Sequence, residues 1–596
     1  MQTATHTEVH HDDHSHAEQS FWTKYIFSTD HKVIGIQYGV TALVFLLFGF
    51  GLMMAMRWQI AKPDQPIPVI GALLESVLGN VAKDGIISAQ LYNVFGAMHG
   101  TIMVFMAIVP LGFAAFGNYI VPLQIGAPDM CFPRVNMASF WAFFLGCVTM
   151  TVSFFIPGGA AQAGWTSYSP LATSLPTDGQ TYWLVAMVLL ITSSLLGAVN
   201  FIATIIQLRA PGMTWGRLPF FVWAQFVTAF LLLLAFPPLE AAGVMQLMDK
   251  VAGTSFFLPT GLFISGQPAT ISGGGSPLLW QHLFWFLGHP EVYVLILPAI
   301  GIVTEVIANS TRRPVWGYRL MVGAVLVLGF LSFIVWAHHM YLTGMGNKVA
   351  TFFQTTTMII SIPSVILLTC LFMSLWKGAI RFTTASMFAF SFLPMFGIGG
   401  LTGLPLGFNF TDIHLHDSYY VIAHFHYVVA PGTIFGLFAG VYYWYPKMTG
   451  RKMSEYWGKV HFWCSLIFMN LIFLPMFKQG FDGMSRRMSD GGATYASGEG
   501  VLGLAAESIM TNTIISHAAW GLAIAQVPFI VNFFWSIRNG EKVTSDNPWN
   551  STTLEWQTPT PPPHGNFITQ PVVYRDAYEY SKPGASKDYL PQNEKV

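Results

Sequence analysis

The stretch VIAHFHYVVAPG, residues 421–432, carries two histidines two positions apart inside an apolar run. At about 100° per residue on a helix, the side chains of His424 and His426 point about 200° apart, toward opposite flanks. One helix can therefore serve two separate prosthetic groups, whereas a single metal site favours i, i+3 or i, i+4 spacing. For any one histidine a hydrogen-bonded structural role is as reasonable as ligation. Ionisable groups at membrane depth are costly, so a cluster with interpretable spacing weighs toward function.

Working outward, this run belongs to a series. The chain of 596 residues is 53% hydrophobic and only 9% charged, with a mean hydropathy of +0.51. A bilayer core of about 30 Å needs about 20 apolar helical residues, and about twelve such runs are present. They lie near 33–57, 91–120, 136–156, 182–208, 220–243, 278–308, 317–339, 350–376, 385–404, 418–445, 460–477 and 513–537. The expectation is an all-α membrane protein, a twelve-transmembrane-helix bundle, with both termini on one side. Residues 1–30 form a polar, His-rich tail (His6, His10, His11, His14, His16), 31–540 the bundle, and 541–596 an extended polar tail rich in proline.

Positive charge sets the orientation. With the N-terminus cytoplasmic, the inner segments hold Arg312, Arg313, Arg319, Lys447, Arg451, Lys452 and further basic residues, and the outer loops hold fewer. Both ends are expected inside, in a bacterial plasma membrane. The first residues lack the basic-then-apolar pattern of a cleaved signal. Formal net charge is zero, which gives no reason to expect a nucleic-acid partner. Cys131, Cys147, Cys370 and Cys464 make no CxxC or CxxCH motif, which argues against a disulfide scaffold and a covalent heme. No P-loop or GxGxxG fingerprint is present, so ATP is not the expected energy source. The long, nearly uncharged outer loops GWTSYSPLATSLPTDGQ and SGQPATISGGGSP read as caps over the bundle.

His99, in FGAMHGTIMVF, can reach the depth of the tenth run. A pair of imidazoles makes a six-coordinate, electron-transferring heme, and a heme with one histidine keeps an open face for oxygen. His338 and His339 (FIVWAHHM) and His289 (WFLGHPEVYVLILP) suit a metal opposite that face. Imidazole-only ligation fits copper or zinc, and copper is the more useful beside a redox heme. Tyr293 lies four residues after His289, one turn along the same face, where a phenol can give a proton and an electron together. Pro290 removes a backbone donor and is expected to open the helix locally, turning Glu291 toward a separate cavity.

Together with STDHKVIG, GNYIVPLQIGAPDMCFPRVN, NFIATIIQLRAPGM, HDSYYVIAHFHYV and TLEWQTPTPPP, these segments closely resemble subunit I of the heme–copper oxidases, in the cytochrome c oxidase branch, over nearly the whole chain. The resemblance implies that His99 and His426 are the axial ligands of low-spin heme a and that His424 is the proximal ligand of high-spin heme a3. It implies that His289, His338 and His339 bind copper B, with Tyr293 covalently joined to His289. Arg57 would hydrogen-bond the heme a formyl, Arg486 and Arg487 would contact propionates, and His416 with Asp417 would hold magnesium together with a partner subunit.

Asp129, Asn118, Asn136, Ser193, Ser194 and Asn200 resemble the family's D proton pathway, ending at Glu291. The family segment close to MIIAIPTGVK reads MIISIPSVIL here, with Leu367 at the lysine position. Thr304, Ser364 and Tyr293 remain as fragments of the second, K-type pathway. Waters, a displaced polar group, or Glu291 serving both tasks would have to substitute. The implied activity is reduction of dioxygen to water, four electrons and four protons making two waters, with further protons pumped outward. Electrons would come from cytochrome c through a copper-bearing subunit II, with subunit III and membrane lipid as further partners. A quinol oxidase is the alternative; against it, Phe48 and Leu52 stand where the quinol branch carries an arginine and an aspartate. A nitric oxide reductase would lack the pairing of Tyr293 with Glu291, and a secondary transporter has no need of six histidines on four helices.

Overall fold

Apolar helical runs of this length close their backbone hydrogen bonds internally, which a membrane interior requires. The computed structural model describes residues 20–595 apart from 176, 265, 270 and 497–505, so the histidines between 6 and 16 lie outside the described residues. Among the described residues, twelve helices are long and apolar enough to cross a membrane. In chain order the spans are His31–Ala61, Ala89–Ile125, Pro133–Phe155, Gly179–Gln207, Phe220–Val251, Pro277–Thr311, Tyr318–Thr343, Gly346–Leu375, Thr384–Gly407, Tyr419–Thr449, Glu455–Phe481 and Glu507–Asn539. Among the described residues the sole sheet is a two-stranded hairpin, Phe263–Ile264 with Gln267–Pro268.

Four of the spans start where a side chain satisfies free backbone N–H groups. Asp30 accepts from the Lys32 amide at 2.8 Å, Ser88 from Leu91 at 3.1 Å and Ser418 from Tyr420 at 3.2 Å. Thr383 and Ser386 form a reciprocal capping box at the ninth span. The sixth span is the axis of the bundle: 89% of its apolar window is buried, against 22% for the first span, whose outward faces suit lipid. The sixth span runs unbroken through Pro290 and Pro298. The local opening expected at Pro290 is therefore absent, because neighbouring turns keep their own hydrogen bonds around the one donor proline removes.

Two spans loosen just past their histidines. The second widens into π-helical turns at Ile102–Ile108 and Pro110–Ala115, and the tenth at Val429–Ile434. Such bulges concentrate at functional sites. The seventh span tightens instead, ending in 3₁₀ turns over Trp336–Thr343 with a kink at Met340.

Of the two long loops, GWTSYSPLATSLPTDGQ packs onto the bundle. Trp280 donates to the Thr166 carbonyl at 2.9 Å and Trp285 to the Tyr168 hydroxyl at 2.5 Å. At the opposite end, residues 541–595 lie across the helix ends as irregular chain with a 3₁₀ turn at Leu554–Trp556. They turn their own Leu554, Glu555, Trp556 and Tyr580 into the protein, where these are buried.

Candidate metal centre

His289, from the axial sixth span, meets His338 and His339 from the 3₁₀ end of the seventh. One ring nitrogen of each lies within 4.8 Å of the others. His338 Nε2 is 3.1 Å from His339 Nε2, which is 3.4 Å from His289 Nδ1. The buried His289 Nε2 has no hydrogen-bond partner. Three imidazoles facing one another with no carboxylate among them cannot all be satisfied by shared protons, whereas one soft or borderline cation satisfies them together. The rings are held from behind. Thr357 of the eighth span lies 2.8 Å from His338 Nδ1, and Trp285 stacks on His339 with ring centroids 3.9 Å apart. Tyr293 sits one turn below His289, ring centroids 4.9 Å apart.

The other three histidines share one posture. His99 Nδ1 is 2.8 Å from the Gly49 carbonyl, His424 Nδ1 is 2.9 Å from that of Gly399, and His426 Nδ1 is 2.8 Å from that of Ile422. A carbonyl on Nδ1 fixes the tautomer and leaves Nε2 as a free lone pair, the arrangement metal-ligating histidines use. His99 and His426 are electrostatic neighbours on one flank of the tenth span, and His424 neighbours His338 on the other. All three are intermediate in exposure within the bundle. A Cβ on Gly403 would stand 2.7 Å from His424 Cε1, which accounts for glycine at that position.

Arg57 is buried at the end of the first span. It donates to Ser516 Oγ and to the Asn512 carbonyl, each at 3.1 Å, and is hydrogen-bonded with Tyr419. Residues 484–487 pair with 417–419 through the Tyr419 amide on the Met484 carbonyl and the Arg486 amide on the Asp417 carbonyl, both at 2.9 Å. Asp417 and Arg487 adopt left-handed backbone, with φ of 54° and 70°. Arg486 forms an ion pair with Asp417, and a Cβ on Gly164 would lie 3.1 Å from Arg487 Nη2. His416 and Asp417 do not meet: His416 pairs with Asp412 at 3.1 Å. Burial alone would lower the His416 imidazole, but Asp412 holds it above its ordinary range. Burial alone would raise Asp417, but Arg486, His416 and Arg487 hold it below the usual carboxylate range.

The polar residues of the second, third and fourth spans form a connected track. Asn136 donates to Asn118 at 2.7 Å, and Ser193 to the Ser139 carbonyl at 2.6 Å. The Tyr38 hydroxyl lies 3.1 Å from Ser139 Oγ and 3.0 Å from Ser193 Oγ. A cavity of about 20 Å³ lined by Tyr38, Asn118, Ser139, Ser193 and Ser194 has room for one water. Burial pushes the Asp129 carboxyl up; the charge of His31 and the Met130 amide, 2.6 Å away, oppose that. Asn200 sits differently: its amide clamps the Phe132 backbone at 2.9 and 3.1 Å. Glu291 is buried with neither carboxyl oxygen hydrogen-bonded. Thr304 and Ser364 bond back to their own helices, onto the Ile300 carbonyl at 2.7 Å and the Ile360 carbonyl at 3.2 Å, and Leu367 is fully buried.

Thr357, Asp412, Tyr38 and Ser139 escape a reading of the sequence. Asp412 alone carries a local signal, four residues before His416 on one helix face. The other three act across helix interfaces that no spacing rule reveals.

Comparison with known proteins follows this geometry. The family described as "Cytochrome C and Quinol oxidase polypeptide I" matches residues 33–530. The chain is 44% identical, over 97% of its length and 94% of the relative's, to the alternative cytochrome c oxidase subunit 1 of Bradyrhizobium diazoefficiens. It is 42% identical, over 94% of its length and 93% of the relative's, to cytochrome c oxidase subunit 1 of Synechocystis. Among solved structures, a heme–copper terminal oxidase dimer superposes with a TM-score of 0.66 at 19% identity, covering 86% of this chain and 85% of that one, a likeness of fold.

Proposed function

The chain belongs to the cytochrome c and quinol oxidase polypeptide I family, and from that premise we propose that it is the catalytic subunit of a proton-pumping terminal oxidase supplied by cytochrome c. The reading rests above all on the three imidazoles of His289, His338 and His339 that converge beside Tyr293 with no anionic partner. These residues would hold copper B. His424 would hold high-spin heme a3 from across the site, and His99 with His426 would hold low-spin heme a on the opposite flank. When bound, the hemes and copper supply the electron transfer and the dioxygen reduction.

The chain's own residues orient and protonate. The Gly49, Gly399 and Ile422 carbonyls and Thr357 fix the rings, so that each presents one nitrogen inward. Tyr293, one turn from His289, would give its phenol proton toward oxygen and would be joined to His289 by a covalent link. Asp129 takes protons at the cytoplasmic mouth; Asn118, Asn136, Ser193 and Ser194, with water in the cavity they line, carry them inward; and Glu291 holds and releases them. Asn200 shapes that mouth by clamping the loop that follows Asp129.

On the outer side, Arg486 and Arg487 would meet propionates, and Arg57 a formyl. His416 and Asp417 would take magnesium with a partner's ligand once Asp417 is drawn from Arg486. A copper-bearing subunit II and a subunit III complete the enzyme, which lies in a bacterial plasma membrane with both termini cytoplasmic. The polar tails 1–30 and 541–596 flank one bundle domain. Preference for cytochrome c over quinol follows from Phe48 and Leu52 in the first span.

A reduced-minus-oxidised spectrum of the purified oxidase, with a pyridine extract, tests this. Two heme a signals, with turnover on reduced cytochrome c, are expected. Heme b or o with turnover on quinol alone would move the chain to the quinol branch, and absence of heme bands would end the reading.

A further inference from the structure

Between the first and second spans the chain forms one further helix, Ile70–Leu78, which none of the proposed steps uses. At about 100° per residue, Ile70, Leu73, Leu74, Val77 and Leu78 fall within one arc of about 140°, and Ala72, Glu75 and Ser76 lie on the opposite arc. Gly71 is the one buried residue of this helix. There the helix meets the rest of its loop backbone to backbone: the Ile67 amide donates to the Gly85 carbonyl at 2.9 Å, and a Cβ on Gly71 would stand 3.0 Å from Gly85 Cα. The polar arc borders a groove lined by Ala72, Glu75 and Asp84.

The apolar arc is left bare. Ile70, Leu73 and Val77 are exposed, and Val69, just ahead of the helix, is 95% exposed. A contiguous apolar face of this kind marks contact with a membrane or with another protein.

The place of the helix favours the membrane. It lies against Ser153–Phe155, at the end of the third span. That span, Pro133–Phe155, has 23 residues, about 35 Å of helix, so its end stands at the edge of a hydrocarbon layer of about 30 Å. Leu145, Val148, Val152 and Phe155 are exposed along one stripe of it, and Phe154 packs on Phe48 of the first span with ring centroids 5.5 Å apart. The helix therefore adjoins a lipid-facing stripe at the depth where amphipathic helices rest, their apolar sides about 5–10 Å into the boundary of headgroups and acyl chains.

We propose that Ile70–Leu78 is an interfacial anchor, lying in the plane of the bilayer surface with Ile70, Leu73 and Val77 among the acyl chains and Glu75 in water. The loop from Lys62 to Ser88 is thereby held at its two ends by spans and at its middle by lipid. The anchor is independent of which electron donor serves the chain.

Photolabelling of the holoenzyme tests this, in nanodiscs of phosphatidylcholine and phosphatidylglycerol that carry a phospholipid with a diazirine near the headgroup end of one acyl chain. Peptide mass spectrometry then locates the adducts. They are expected on residues 70–78 as well as on the third-span stripe that ends at Phe155. In the double variant L73Q/V77Q the helix adducts should fall about tenfold, while the adducts at Phe155 and the heme spectra stay unchanged. Ala72→Gln, on the polar arc, should keep wild-type labelling. A wild-type helix left unlabelled while the stripe is labelled, as a covering partner subunit would leave it, overturns the anchor; so does equal helix labelling in L73Q/V77Q. The wild-type pattern decides by itself if the double variant fails to assemble.

Discussion

Gly403→Ala is the sharpest perturbation of the proposed oxygen site. A Cβ there stands 2.7 Å from His424 Cε1 and 3.3 Å from Nε2, where ordinary contacts begin near 3.4 Å. The ring cannot swing away freely, because Nδ1 is held 2.9 Å from the Gly399 carbonyl. It must move by about 0.7 Å or tilt off that carbonyl, and overpacking of this kind costs about 1–3 kcal/mol. Spent on ring placement, that weakens retention of the high-spin heme by roughly 5- to 150-fold. Gly400, on the same span, has nothing within 4 Å of its Cβ position, so Gly400→Ala is the matched control and should gain up to about 1 kcal/mol of helix stability. The assay is the carbon monoxide difference spectrum per mole of protein, beside the low-spin heme band. Gly403→Ala should lose the carbon monoxide signal and keep the low-spin band, whose ligands His99 and His426 lie on the other flank. Full carbon monoxide binding in Gly403→Ala, or equal loss in Gly400→Ala, would refute the assignment of His424.

Thr357→Val removes the partner of His338 Nδ1 at near-constant volume; copper retention against a chelator should fall about 10- to 100-fold, and wild-type retention would show that Thr357 does not position the ring. Burial raises the Asp129 carboxyl, so its ionised form is disfavoured in the folded chain, and the stability lost grows as pH rises above its unfolded value of about 4. Asp129→Asn should therefore raise the melting temperature at pH 7 but not at pH 4 while slowing proton uptake; an equal shift at both pH values would contradict the cause given. Leu367→Lys should speed reduction of the high-spin heme if the second route is limited by its missing carrier, and an unchanged rate would argue that another group already serves it.

Much of the fold is legible in the sequence because each span is defined by its own composition. The apolar runs near 33–57 and 350–376 are self-contained signals, and the helices His31–Ala61 and Gly346–Leu375 follow them closely. Ends are less legible, since polar residues extend helices past the apolar core: Tyr419–Thr449 outlasts its run through Pro446 and Lys447. The histidine constellation is legible because imidazoles stand out against an apolar background. Its supports are not, since backbone carbonyls such as that of Gly399 carry no residue signature and Thr357 looks like any helical threonine. The continuity of the sixth span through Pro290 is hidden for a related reason, as proline's effect depends on neighbours that satisfy what it frees. Glu305 and Tyr578, 273 residues apart, meet only when the C-terminal segment folds back over the helix ends.

The central claim is that six imidazoles from four spans converge on metals at one level. An experimental density map of the purified holoenzyme tests it most directly. The account predicts metal density shared by His289, His338 and His339, a planar group ligated by His424 facing it, and a second planar group held between His99 and His426. Rings that contact no metal, or a triad bound to none while His424 lies free, would contradict it.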